Sequence, residues 1–224
     1  MFEGFSPETI DFLWGLRMNN NREWFTEHKT QYTEKLYEPM KALAREISEP
    51  FAQIPGMVCK TSRIYRDMRM NPPTPYKESL WTCIRRDETW WMQEPSLFFE
   101  IRPDGVSYGF LFWQPTVPMM NAARADMGQR PDNYLKIVRK AERESGLSVT
   151  GTAYVKKRPC PDARLEPYFQ LKNVMAIREE PVSEKLFVPE LAVTVRQTLE
   201  SLWPLCRYYQ KFTNEKAEAP KKEE

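Results

Sequence analysis

The side chains with the greatest capacity for chemistry lie between residues 63 and 77 of this 224-residue sequence. This segment combines four cations, one carboxylate and two phenols, namely Arg63, Tyr65, Arg66, Asp67, Arg69, Tyr76 and Lys77. Guanidinium groups bind phosphates and carboxylates through two parallel hydrogen bonds, and lysine adds a compact charge. Pro72, Pro73 and Pro75 stiffen the chain between them, which reduces the entropy lost on ordering. The segment therefore predicts a preorganised site for a small anionic ligand.

Strand alternation assigns a role to each side chain of this site. If residues 62–70 form a strand, Arg63, Asp67 and Arg69 share one face. Asp67 can then orient one guanidinium group and leave the other for the ligand. Tyr76 and Lys77 follow the proline-rich loop. We expect these five residues to bind the ligand together.

Arg66 falls on the opposite face of that strand, among apolar neighbours, and is expected to be buried. A buried guanidinium needs a carboxylate or several carbonyl groups as partners. Glu100, within the apolar run 97–101, is the predicted ion-pair partner of Arg66. The whole cluster also has a purely structural interpretation, in which its ion pairs fasten the sheet to a helix. The sequence leaves both interpretations open.

The sequence does not decide whether the protein is an enzyme. His28 is the sole histidine, so Asp67 or Tyr76 would be the candidate groups for proton transfer. We expect no hydrolase triad around His28, and no phosphate-loop or dinucleotide-binding glycine pattern is present.

Metal sites and membrane segments are not expected. The four cysteines are widely spaced and form no Cys-x-x-Cys motif, so we predict no metal site, no cofactor and reduced thiols. The N-terminus does not resemble a signal peptide, and no apolar run is long enough to span a bilayer. These features predict a cytoplasmic protein without a membrane partner.

Nucleic-acid binding is an alternative function. Residues 60–86 contain seven Lys and Arg residues against two acidic ones, and Trp81, Trp90 and Trp91 lie close to Arg85 and Arg86. A net charge of only +2 makes nucleic acid a less favoured partner than a small anion. A structural or protein-interaction module without a ligand is a further alternative. The ligand, the reaction and the oligomeric state are left open.

The predicted elements indicate one α+β domain. Ser6-Pro7-Glu8 has the pattern of a helix start, and helical periodicity continues to Phe51. Strands are predicted at 58–70, 97–101, 106–113, 150–157 and 168–177, with a hairpin turn at 103–105. Helices are predicted at 117–127, 131–145 and about 189–212, where Pro204 should kink or end the last one. We expect an antiparallel sheet of about five strands packed by N-terminal, central and C-terminal helices across residues 1–212. Residues 213–224, rich in Lys and Glu, should be a disordered tail.

Two motifs connect the chain to a known family. Asn19-Asn20 followed by Trp24-Phe25 is similar to an Asn-Asn-x-x-x-Trp-Phe signature. The run from Arg63 to Tyr76 resembles Arg-x-x-Arg-Asp-x-Arg-Phe followed by a tyrosine, with Met70 in place of the phenylalanine. Both are features of an uncharacterised bacterial family, the domain of unknown function 2461, and residues 109–115 resemble its Gly-x-x-x-Pro segment. An Asp/Asn-Lys pair of that family is absent here, and the resemblance implies no particular activity.

Overall fold

The sheet consists of five strands that pair in sequence order, each antiparallel to its neighbours. The computed structural model describes residues 1–70, 72–87 and 90–213. The strands are β1 (Met57–Thr61), β2 (Leu80–Arg86), β3 (Ser96–Arg102), β4 (Gly105–Phe112) and β5 (Val174–Pro181). Such a meander needs only local connections between most of its strands. The predicted antiparallel sheet and the α+β class are confirmed.

The helices precede, interrupt and follow the strands. They are α1 (Pro7–Met18), α2 (Arg22–Glu27), α3 (Lys29–Gln31), α4 (Glu38–Ser48), α5 (Val117–Gln129), α6 (Pro131–Ser145), α7 (Glu166–Phe169) and α8 (Glu190–Gln210). A π-helical turn, Tyr32–Tyr37, joins α3 to α4. Helix α4 packs on β1 and β2, and α8 packs on β3 and β4. Their buried apolar faces form one core with one face of the sheet.

The turn between β3 and β4 follows the chemistry that the sequence indicates. Pro103 and Asp104 form the turn, and Gly105 adopts a φ of 154° at the start of β4. Gly109, with a φ of 147°, lies where a Cβ atom would come within 2.1 Å of the Ala176 carbonyl oxygen in β5. Glycine is required there because any larger residue would push the two strands apart.

The predicted strand at 58–70 is wrong beyond Thr61. Residues 62–67 run outside the regular strands, and a 3-10 turn follows at Met68–Met70. The Asp67 carboxylate accepts a hydrogen bond from the backbone N–H of Arg69, which favours a turn over a strand. Met68 and Met70, which a regular strand would place with Arg66 on its apolar face, are 46% and 75% exposed.

Two other strand assignments also change. Residues 150–157 form only isolated bridges, through Thr150 and Ala153. The prediction of a strand at 168–177 is wrong at its start, because Glu166–Phe169 is helical and β5 begins at Val174. The fifth strand of the sheet is β2, which was not predicted from the sequence and takes the place of the strand expected at 150–157.

The two ends of the chain agree in part with expectation. Helix α1 begins after an N-cap at Ser6, as predicted, and α8 continues past Pro204 to Gln210. Thr213, expected to begin the tail, is fully buried. The rest of the predicted tail, residues 214–224, lies outside the described residues. Among the described helices, none combines the length and hydropathy required to cross a membrane.

Candidate functional site

Tyr76 lies at the centre of the segment that the sequence singles out, and it is only 4% exposed. Asn20 bonds both backbone groups of this tyrosine, accepting from its N–H and donating to its carbonyl, each at 3.1 Å. The same carbonyl accepts a 2.7 Å hydrogen bond from Nε of Arg66. The Tyr76 ring stacks on Phe25, with 4.1 Å between centroids. The two sequence motifs, at 19–25 and 63–76, therefore meet at this residue.

The hydroxyl group of Tyr76 is held in its protonated form. Burial raises its pKa, the nearby Tyr65 raises it further, and Arg22 has the opposite, smaller effect. The Tyr65 ring lies 5.4 Å from the Tyr76 ring and is 51% exposed, so this pair of phenols reaches the surface. At neutral pH the Tyr76 hydroxyl can donate a hydrogen bond, but a protonated phenol is not a general base.

Asp67 and Arg69 bind each other. Oδ1 of Asp67 accepts from Nε of Arg69 at 2.9 Å, and Oδ2 accepts from Nη2 at 2.7 Å. These bonds, with the backbone N–H of Arg69, lower the pKa of Asp67 to about 2. A carboxylate with so low a pKa is a weak base at neutral pH. The guanidinium group that Asp67 holds is the one on Arg69.

Three other cations, Arg63, Arg66 and Lys77, lie together beside this pair. Nζ of Lys77 donates to the Arg63 carbonyl at 2.7 Å, and Nε of Arg66 donates to the Tyr76 carbonyl. The pKa of Lys77 is lowered by burial first, and then by the charges of Arg63 and Arg66. Within the described parts of the chain, none of these three side chains forms an ion pair with a carboxylate. We call this group the cation cluster.

Arg66 and Glu100 have different partners from those expected. Because the chain leaves the sheet after Thr61, the alternation that placed Arg66 opposite β3 does not apply. Its guanidinium is half-buried and bonds a carbonyl. The Glu100 carboxylate accepts from Ser79 at 2.7 Å and from Arg102 at 3.3 Å. The ion pair predicted between Arg66 and Glu100 is absent among the described residues.

A pocket of about 300 Å³ lies on the sheet face that points away from α4 and α8. Its walls come from alternate residues of β2, β3 and β4, from the residue after β4 and from the segment before β3. They are Trp81, Cys83, Trp91, Met92, Glu94, Ser96, Phe98, Glu100, Leu111 and Trp113. The Trp81 and Trp91 rings stack, with 5.5 Å between centroids. Trp91 and Trp113 are 44% and 49% exposed. The pocket therefore presents large aromatic surfaces to solvent.

The pocket and the cation cluster are adjacent. Lys77 belongs to the cluster, and its Nζ lies 5.8 Å from the centroid of the Trp81 ring, over the ring. Trp81 in turn lines the pocket. The backbone N–H of Lys77 bonds the Ile64 carbonyl at 2.8 Å, which fixes the residue that connects the two regions.

The arginines on which the nucleic-acid alternative depended are engaged by internal partners. Arg85 is buried and bonds Asp87 and the Arg86 carbonyl. Arg86 forms an ion pair of 2.7 Å with Glu94, whose side chain is fully buried. Thr213 bonds both members of this pair, which ties the end of α8 to the sheet. These contacts leave β2 without a row of cations for a phosphate backbone.

The other chemically reactive side chains have structural surroundings. Residues 105–109 have the Gly-x-Ser-x-Gly spacing of a hydrolase nucleophile, but they lie within β4 and not at a strand-to-helix turn. Ser107 is buried and bonds Glu100 and Arg102. His28 stacks on Trp24 at 4.0 Å and its Nδ1 contacts the carbonyl of that residue. In the described ranges, no three His, Cys, Asp or Glu residues are grouped to hold a metal.

Sequence comparison identifies the family. The model of the family described as "Conserved hypothetical protein (DUF2461)" matches residues 8–208. This range contains both motifs that meet at Tyr76, all of the cation cluster and every residue that lines the pocket. Comparison with curated proteins gave no match. The chain belongs to the DUF2461 family of conserved hypothetical proteins.

Proposed function

We propose that this protein binds a small anionic ligand, bearing phosphate or carboxylate, at the cation cluster formed by Arg63, Arg66 and Lys77. The observation that carries the proposal is that the Lys77 ammonium bonds the Arg63 carbonyl and has its pKa lowered by the charges of both Arg63 and Arg66, while none of the three side chains forms an ion pair among the described residues. Like charges held together destabilise one another, so an anion that joins them is favoured. Guanidinium and ammonium groups also supply the hydrogen-bond donors that phosphate and carboxylate require.

The contacts around the cluster support its role in binding. Nε of Arg66 is fixed by a carbonyl, which leaves its terminal nitrogens as donors in a set orientation. Only one of the three ammonium protons of Lys77 is used by the Arg63 carbonyl. Compared with the set expected from the sequence, Arg66 is added to the proposed site. Asp67, Arg69 and Tyr76 lie at its edge and hold the neighbouring backbone in position.

Isothermal titration with inorganic pyrophosphate and with citrate at low ionic strength tests the proposal. We expect binding that weakens as salt is added, and an affinity at least about tenfold lower in Arg63→Ala, because a contact with a charged group is lost. Arg143→Ala is the matched control, since Arg143 is exposed on α6, far from the cluster in sequence. The proposal fails if neither anion binds, or if both substitutions have the same effect.

The Lys77 ammonium provides a second measurement. A bound anion favours the charged form, so the pKa of Lys77 should rise on binding. Reductive methylation with a carbon-13 label and titration by NMR would follow this pKa directly. A Lys77 pKa that is unchanged by saturating pyrophosphate would mean that the anion binds elsewhere.

A further inference from the structure

The pocket beside the cation cluster narrows the class of ligand. About 300 Å³ is at the lower end of the range for small-molecule sites, enough for one ring system and its substituents. Trp81 and Trp91 already stack on each other, and Trp91 belongs to a 3-10 turn, Trp91–Gln93, that holds it at the surface. A planar aromatic ring can stack on the exposed Trp91 without a large rearrangement, because the stack on Trp81 holds the Trp91 ring in place before the ligand arrives.

The charges around the pocket indicate which part of a ligand would enter it and which part would lie outside. The carboxylates of Glu94 and Glu100 line the pocket, and each is already paired with an arginine, Arg86 and Arg102. The residues that line the pocket include no lysine or arginine to hold a negative group inside it. Lys77 lies at the Trp81 side, with its ammonium over the indole ring. Arg63 and Arg66 are close enough to Lys77 to lower its pKa. An anionic group is therefore favoured at the Lys77 end, and an apolar ring is favoured within the pocket.

From this arrangement we infer that the ligand is an aromatic or heteroaromatic compound with an anionic substituent, whose ring stacks on the exposed Trp91 while its phosphate or carboxylate contacts Lys77 and Arg63. The inference rests on the proposed function, which concerns the anionic group of the ligand, and adds that the rest of the ligand contains an aromatic ring. Two classes fit this chemistry: nucleoside monophosphates and aromatic carboxylic acids. They share a planar ring a few bonds away from an anion.

Two matched pairs of probes test the inference. Adenosine 5′-monophosphate is compared with ribose 5-phosphate, and indole-3-acetate with acetate, by titration calorimetry. In at least one pair the compound with the ring should bind about tenfold more tightly or better, because stacking of one ring on an aromatic side chain has roughly this effect. If the compounds without a ring bind and the ring adds nothing in either pair, this inference is wrong and the proposed function stands. If none of the four probes binds although pyrophosphate or citrate does, the inference is likewise wrong and the proposed function stands; if pyrophosphate and citrate also fail to bind, the proposed function itself fails.

Substitutions separate the pocket from the cluster. Trp91→Ala should remove the advantage of the ring and leave the affinity for the partner without a ring unchanged. Trp113→Ala is a second variant at the pocket wall, so a folding defect in one does not decide the test. Trp14→Ala is the control, because Trp14 is equally exposed, at 44%, but lies on α1 over Arg17. An advantage of the ring that survives both pocket substitutions would overturn the inference.

Discussion

Replacing Asn20 with alanine should destabilise the protein far more than replacing its neighbour Asn19. Asn20 is the partner of the backbone N–H of Tyr76, which is nearly buried. An unpaired buried donor costs about 1–3 kcal/mol, and a lost second bond costs about 1 kcal/mol. The second loss is partly offset, because the Tyr76 carbonyl keeps its bond from Arg66. We therefore expect a loss of about 2–3 kcal/mol in the free energy of unfolding, or about 5–10 °C in Tm for a protein of this size.

Asn19→Ala is a closely matched control. The Asn19 side chain donates to the Gly15 carbonyl at 3.0 Å in an exposed position at the end of α1. Its loss should change stability by no more than about 0.5 kcal/mol. Urea and thermal unfolding followed by circular dichroism would compare the two variants, and pyrophosphate titration would be repeated on each. Equal destabilisation by the two substitutions would refute the idea that Asn20 fastens the α1–α2 region to Tyr76.

Three further substitutions probe other parts of the structure. Glu94→Gln should lower the free energy of unfolding by about 3 kcal/mol, because it removes the carboxylate charge that balances the Arg86 guanidinium, which keeps its bond to the Gln210 carbonyl. Glu179→Gln, exposed on β5, should change urea unfolding very little. The Asp67 carboxyl should titrate near pH 2 by NMR, and Arg69→Ala should return its pKa towards the usual value of about 3.9. Because the folded pKa is lowered, this pair stabilises the protein at and above about pH 4, and its contribution is lost as the pH falls towards 2; an unaltered pKa in Arg69→Ala would contradict the pairing. Gly109→Ala should cost at least about 2 kcal/mol in urea unfolding, since the position combines a φ of 147° with a close strand contact, and an unchanged midpoint would show that β4 and β5 do not approach so closely.

The sequence predicts elements well where local chemistry decides them. Helix α1 follows its Ser6 cap, and the hairpin of β3 and β4 follows its turn residues. Strand β2 was not predicted, because its sequence lacks the alternation of apolar and polar residues that is typical of a half-exposed strand. Four successive residues, Thr82, Cys83, Ile84 and Arg85, are all buried. Residues 62–70 have the composition of a strand. The hydrogen bond that the Asp67 carboxylate accepts from the Arg69 backbone N–H, together with the prolines that follow, favours turns instead.

The candidate site, like the fold, could be predicted from the sequence only in part. The residue types between 63 and 77 indicate cations, a carboxylate and phenols without reference to any structure. Their pairing depends on contacts that a side-chain pattern does not contain. Asn20 is 56 positions from Tyr76, and the partner of Arg66 is a backbone carbonyl. The pocket takes alternate residues from three strands, so it could be recognised only when the register was known.

From the sequence, the structural and binding interpretations of the 63–77 segment are alternatives. In the structure, the same contacts are compatible with both. Tyr76 is held by Asn20 and Phe25 on its inner side. The next residue, Lys77, points its ammonium towards the Arg63 carbonyl and the Trp81 ring. Fixing Tyr76 therefore also fixes the backbone from which Lys77 extends, and preorganisation reduces the entropy lost on binding. A scaffold of this kind makes stability and the proposed anion affinity depend on the same contacts, which is why the Asn20→Ala comparison tests both.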